Sequence, residues 1–200
     1  MKSRISSFCS ARLLILILTV LLFSGCSSQP EKQLPVMGEI NKDFTFINQD
    51  SQEVTPAVFT GKVVITDFFF TTCPSICPIM KRQMHRVYEV FKETPDILFF
   101  SHTIDPEHDT PEVLHNFAQG LGADTQKWQM VTGDQDEIFA MAKHYMLGAM
   151  KNEDVPGGYI HSGSFVLVDK KKRIRGYYNG TDEAEVDMLI TDLRILLNEE

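Results

Sequence analysis

The segment Phe68-Phe69-Phe70-Thr71-Thr72-Cys73-Pro74-Ser75-Ile76-Cys77-Pro78 decides how the rest of the chain is read. Upstream, Val63 to Phe70 is a near-continuous apolar run, as a strand buried on both faces of a sheet requires. Downstream, Ile76, Ile79, Met80, Met84, Val87, Val90 and Phe91 recur at helical spacing until Pro95 breaks the pattern. The cysteines therefore fall at a strand-to-helix junction. Four positions apart at a helix start, they share one face, close enough for a disulfide or a common metal ion. Unpaired N–H groups and the positive end of the helix dipole favour thiolate there. A thiolate is both a nucleophile and a soft-metal ligand, so dithiol exchange and copper binding are both open.

Working outward, Ile97 to Ser101 is a second apolar strand, followed by the loop Asp105-Pro106-Glu107-His108-Asp109. Thr110-Pro111-Glu112 has the form of an N-cap, a first-position proline and a first-turn acid. Val113, Leu114, Phe117 and Leu121 supply that helix with an apolar face, and Gly120 and Gly122 close it. Trp128 to Thr132 is a third strand, and Asp134 to Met146 another helix. Lys151 to Gly158 is a polar, Gly/Pro-bearing loop that delivers the chain to Tyr159-Ile160-His161-Ser162-Gly163. Ser164 to Asp169 and Arg173 to Tyr178 form a hairpin around Lys170 to Lys172. Thr181 is the expected cap of a last helix that buries Met188, Leu189, Leu193, Leu196 and Leu197. Ahead of the central strand, Phe44 to Ile47 and Glu53 to Thr55 flank turn residues as a further hairpin.

The front of the chain is of a different kind. Lys2, Arg4 and Arg12 precede the apolar run Leu13 to Phe23 and the small residues Ser24-Gly25, the pattern of a secretory signal over residues 1–25. The run falls short of the ~20 residues that span a bilayer. Phe23-Ser24-Gly25-Cys26 resembles a bacterial lipobox, with Phe23 where Leu is usual. It makes Cys26 the lipidated first residue of a mature chain, and an unmodified lone thiol in an oxidising compartment would be a liability. Residues 26–40 then read as a polar tether and 41–200 as one folded domain, in the bacterial envelope and facing away from the cytoplasm. Loss of the three basic residues takes the formal charge from −8 to −11, which argues against nucleic-acid binding.

The order of elements is hairpin, β-α-β-α-β-α, hairpin, α. It implies a sheet covered on both faces. With a cysteine pair at the first strand-to-helix junction, the fold class is α/β, thioredoxin-like, with an added N-terminal β-hairpin. Three residues, not two, separate the cysteines, so the pair departs from the thioredoxin motif. Two thiolates suit Cu(I), and an added imidazole also makes a site usable by Cu(II). His161 stands before a strand, at about the place where thioredoxins present the loop facing their cysteines. A loop histidine is more often a hydrogen-bonded surface group than a ligand, and that reading applies to His85, His102, His108, His115 and His144. Met80 and Met84 lie on the helix's apolar stripe and are assigned to the core, as are the three phenylalanines, as core or site wall.

The sequence resembles the Sco/SenC family of copper chaperones, which serve the copper centre of cytochrome c oxidase. The resemblance rests on Thr72-Cys73-Pro74-Ser75-Ile76-Cys77-Pro78, on Asp105-Pro106-Glu107-His108-Asp109-Thr110-Pro111-Glu112, on Trp128 with Thr132-Gly133, and on His161-Ser162. It implies copper ligation by Cys73, Cys77 and His161, membrane anchoring, and as partner the copper-binding subunit of the oxidase or another periplasmic copper or thiol protein. His108 replaces the family's usual Arg, and Ile160 a common Asp. Two functions fit the resemblance. One is a copper chaperone; the other is a thiol-disulfide oxidoreductase, with Cys73 and Cys77 as redox pair, that keeps a target's copper-ligand cysteines reduced. A structural disulfide in a lipoprotein is the plain alternative. A peroxiredoxin-like peroxidase is disfavoured by Phe70, where that family has Thr.

Overall fold

The computed structural model describes residues 33–199; the signal segment and Cys26 lie outside the described residues. The strands are β1 Gly38–Glu39, β2 Phe46–Asn48, β3 Glu53–Val54, β4 Val63–Phe69, β5 Ile97–Thr103, β6 Trp128–Thr132, β7 Ala149–Lys151, β8 Tyr159–His161, β9 Ser164–Val168 and β10 Arg173–Asn179. The helices are α1 Cys77–Phe91, α2 Pro111–Gly120, α3 Gln135–His144 and α4 Glu183–Asn198, with a 3-10 turn at Pro56–Phe59.

Eight strands form one sheet in the order β1-β10-β9-β4-β5-β6-β2-β3. β4, β5 and β6 run parallel at its centre, and β9 joins β4 antiparallel. Every residue of β4 and β5 is buried, as strands covered on both faces must be. Alternation sends Asp67 and Phe69 towards Lys81 of α1 and Phe68 towards Tyr145, just after α3. The expected N-terminal hairpin is β2–β3, and its other edge pairs with β6. The fold is thioredoxin-like.

Several local expectations are corrected. The fold starts within residues 26–40, the expected tether: Leu34 and Ile40 are 6% and 3% exposed, and β1 pairs with β10. The buried Leu34 and Ile40 are separated by the exposed Val36 and Met37, and a two-residue strand is too short for alternation to register. Thr181 does not cap α4; the Asp182 carboxylate accepts from the N–H groups of Ala184 and Glu185. The buried seam of α4 is Val186, Leu189, Ile190, Leu193 and Leu196, and Met188 is 52% exposed. Thr110 and Asp134 do cap α2 and α3, each accepting from the N–H three residues on.

His102 is the sharpest departure from a surface histidine. It is fully buried on β5, stacked on Phe68 at 4.6 Å and met edge-on by Phe46, Phe100 and Tyr145. Neither ring nitrogen has a hydrogen-bond partner. Burial, reinforced by the Lys81 charge, pushes the imidazole down to about 3, so the ring is neutral and behaves as an aromatic core residue.

Candidate metal centre

The turn that carries the cysteines is tied down from beneath. Asp109 is fully buried and accepts from the Thr71 N–H at 3.0 Å, from the Thr71 hydroxyl and from the Thr103 hydroxyl. The acidic loop after β5 therefore fixes the approach to Cys73. Cys77 is the first residue of α1, and Cys73 lies in the turn ahead of it.

α1 lacks the side-chain cap that α2 and α3 possess: its N-cap is Ile76, which offers no acceptor. The Cys73 sulfur lies in the turn ahead of that end, 3.7 Å from the Ser75 hydroxyl. Burial opposes ionisation, but hydrogen bonds from the Cys77 side chain and the backbone of Ser75 and Cys77 outweigh it, and the Cys73 thiol falls below its ordinary value. Burial and the neighbouring Cys73 side chain push the Cys77 thiol upward instead. The pair is thus split into a thiolate-prone outer sulfur and a proton-holding inner one. Both are free thiols in this structure.

Residues 149–161 form an antiparallel hairpin, β7–β8, where the sequence reading had a loop followed by an unpaired approach to His161. The strands are three residues each, too short for alternation to register. Period two puts Tyr159 and His161 on the inner face and leaves Ile160 43% exposed. Gly157, at φ +89°, lies so close that a Cβ would meet the Phe70 ring at 3.0 Å and Pro74 at 3.2 Å. Glycine lets the hairpin descend onto the cysteine turn. The Tyr159 hydroxyl donates to Asp105 at 3.1 Å. The loop 105–109 therefore holds both halves of the site, the cysteines through Asp109 and the histidine hairpin through Asp105.

The three candidate ligands converge: the Cys73 and Cys77 sulfurs and a His161 ring nitrogen lie within 4.8 Å of one another. His161 Nδ1 donates to the Ser162 carbonyl at 2.9 Å, which fixes the tautomer because a carbonyl can only accept. Nε2 then carries the lone pair and faces Cys77 Sγ at 3.1 Å. Burial lowers the imidazole's basicity, against the Ser162 bond and the Asp67 charge. A neutral nitrogen facing two sulfurs, with its other N–H anchored on backbone, is a soft donor set with its orienting partner in place. Phe70, Tyr159, Val155 and Pro156 wall a cavity of about 230 Å³ at its mouth. The other histidines stay away: His85 meets Glu89, His115 meets Asp50, and His108 and His144 are exposed. Met80 and Met84 are fully buried core residues.

Below Cys77 lies a buried polar network that the sequence reading missed. One helical turn on, Lys81 Nζ donates to Asp67 Oδ2 at 2.8 Å and to Ser101 Oγ at 3.0 Å, and it sits 3.7 Å from the Phe69 ring centroid. Trp128 Nε1 donates to the same Ser101 hydroxyl. The signal was present as a carboxylate in the middle of the apolar run Val63 to Phe70, which a buried strand tolerates only when it is paired.

A doubly covered sheet with a dithiol at its first parallel crossover defines a thioredoxin-like domain, here carrying an imidazole against the sulfurs. The chain belongs to the SCO1/SenC family, whose model matches residues 32–197. It is similar to a SCO1/SenC family lipoprotein from Bacillus anthracis, at 31% identity and a TM-score of 0.75, over 82% of this chain and 98% of that one. It is equally similar to BsSco, a member of the Sco family of cytochrome c oxidase assembly proteins in which a disulfide switch was identified. The identity is again 31% and the TM-score 0.74, over 84% and 100% of the two chains. Arabidopsis thaliana ScoI, solved with copper bound, matches at 27% identity and a TM-score of 0.65, over 76% and 97%.

Proposed function

We propose that this protein is a membrane-anchored copper chaperone that binds copper through Cys73, Cys77 and His161 and delivers it to the copper centre of cytochrome c oxidase. The observation that carries this reading is the convergence of two thiols and an imidazole whose lone pair already faces them. The copper-bound plant relative and the oxidase-assembly role named for BsSco support it. Copper is cargo here, so the site must hold it firmly and still release it. A shallow position behind a small cavity suits that need better than an enclosed core site.

The test is oxidation state. The Cys73–Cys77 disulfide lacks thiolate charge, and its sulfurs are poor donors. Reduced full-length protein is expected to retain one copper per chain through gel filtration, and the fully oxidised protein none. Stoichiometric copper on the oxidised form contradicts the assignment.

A second reading is a thiol-disulfide oxidoreductase that keeps the copper-ligand cysteines of a target reduced. It draws on the split between a thiolate-prone Cys73 and a proton-holding Cys77, the arrangement of an attacking and a resolving thiol. The two roles are compatible, because copper binding requires the reduced pair.

Membrane attachment follows from the lipobox-like Phe23-Ser24-Gly25-Cys26, and the similar Bacillus anthracis protein is described as a lipoprotein. No helix among the described residues is long and apolar enough to cross a membrane. One acyl chain binds marginally, whereas the two or three of a bacterial lipoprotein anchor stably. The protein is expected to sediment with membranes and to take up labelled fatty acid, and Cys26→Ala to do neither. A variant that stays labelled, or a wild type that is wholly soluble, excludes Cys26 as the anchor.

A further inference from the structure

The dithiol stands between two cavities. Cys73 lines both; His161 lines only the first, and Cys77 only the second, of about 320 Å³. The copper reading draws one ligand, Cys77, from the second face but gives no role to that face's other lining residues. Phe70, Pro78, Phe117 and Leu121 give the second cleft apolar walls. Phe117 and Leu121 are one turn apart at the end of α2 and only half-buried, so part of their surface is free. Both charged lining residues are cationic. Lys81 is buried and engaged with Asp67 and Ser101, whereas Arg82 is exposed and, among the described residues, bonds only the Pro78 carbonyl, at 3.2 Å. On a chain of formal charge −8, this cleft sets one exposed cation, Arg82, over an apolar floor beside the dithiol.

We infer that the second cleft is the docking site for a cysteine-bearing segment of a partner protein in which an apolar side chain and an acidic residue flank the cysteine. The apolar side chain covers Phe117 and Leu121, the carboxylate meets Arg82, and the partner sulfur is brought to Cys73. This rests on the dithiol being the reactive centre, as in the reading above. With a partner disulfide, the Cys73 thiolate attacks one sulfur, a mixed disulfide forms, and the partner's second sulfur leaves as thiolate. That thiolate takes the Cys77 proton, the Cys77 sulfur attacks Cys73 Sγ, and the partner's first sulfur is released as a thiolate that takes a proton from solvent. The protein gives up two electrons and ends as the Cys73–Cys77 disulfide, and the partner disulfide is reduced to two thiols. The first cavity, with His161, stays clear of the docked chain.

The test uses reduced full-length protein carrying Cys77→Ser, which stops at the mixed disulfide. The probes are end-blocked Leu-Cys-Glu, Leu-Cys-Lys and Ser-Cys-Glu, each capped on sulfur with thionitrobenzoate. That group is the better leaving thiolate, so Cys73 is directed to the peptide sulfur and its release is read by absorbance. Peptide mapping assigns the adduct to Cys73. The Glu peptide is expected to react about threefold faster than the Lys peptide, in the range of a surface charge pair. Removing the Leu side chain is expected to slow the reaction about fivefold. Arg82→Glu should invert the Glu/Lys preference without touching the fold, since Arg82 is exposed. A faster Lys peptide in the Arg82 protein, as the net negative charge alone would give, overturns the proposal, as does an unchanged ratio in Arg82→Glu. Bis(2-hydroxyethyl) disulfide separates the two levels. If Cys73 reacts with this neutral probe but shows no peptide preference, the cleft proposal alone fails. If it does not react and the wild type also retains no copper, the underlying reading fails with it.

Discussion

Replacing Lys81 by Met is expected to destabilise the fold by about 3–5 kcal/mol, the usual cost of removing one member of a buried ion pair. The methionine fills most of the same space, so the loss is electrostatic more than steric. It leaves the fully buried Asp67 carboxylate with the Ser101 hydroxyl as its remaining side-chain donor. It also removes the ammonium from the Phe69 ring. The double variant Asp67→Asn, Lys81→Met removes both charges together and should recover more than half of the lost stability. Urea unfolding midpoints at unchanged slope report the difference. A single-variant loss below about 1 kcal/mol, or a double variant no better than the single, would show that the pair is not the buried prop under Cys77.

His161→Ala carries the largest expected functional effect. Cu(I) is satisfied by two thiolates, so the variant should bind it more weakly but detectably. Cu(II) should lose its site altogether, because two thiolates without the imidazole reduce and expel it. Thiol exchange should change comparatively little. Its rate follows thiolate character and access at Cys73, and the bonds that favour that thiolate come from Cys77 and the backbone of Ser75, not from His161. In cells, oxidase assembly is expected to fail under copper limitation and to recover in part with added copper. A variant that binds both copper states like wild type but loses thiol exchange would transfer the function to the reductase.

Much of this was legible in the chain because its signals are local and strong. The apolar run at Val63, the helical stripe after Cys77 and the Thr110-Pro111-Glu112 start each have a physical cause within a few residues, and the structure has β4, α1 and α2 there. The site's third member was harder. His161 lies 84 residues from Cys77, and nothing in its own neighbourhood distinguishes a ligand from a surface histidine; only the resemblance to the family's motifs implies ligation. The hairpin β7–β8 was hidden by its brevity, and its seating depends on Gly157 against Phe70, a contact between remote segments. Asp67, inside an apolar run, signals a buried pair without naming its partner. Lys81 and Asp109 look like ordinary polar residues until the fold shows that they are buried and what they hold. His102 inverts the lesson, since its type suggested surface and its strand position dictated core.

The most direct test of the copper site is X-ray absorption at the copper edge on reduced, Cu(I)-loaded full-length protein, beside His161→Ala. The wild-type spectrum is expected to need two sulfur scatterers and one imidazole, with the imidazole contribution absent from the variant and the two sulfurs kept. A wild-type spectrum without two sulfurs, or an imidazole signal undiminished in His161→Ala, would contradict a centre built from Cys73, Cys77 and His161.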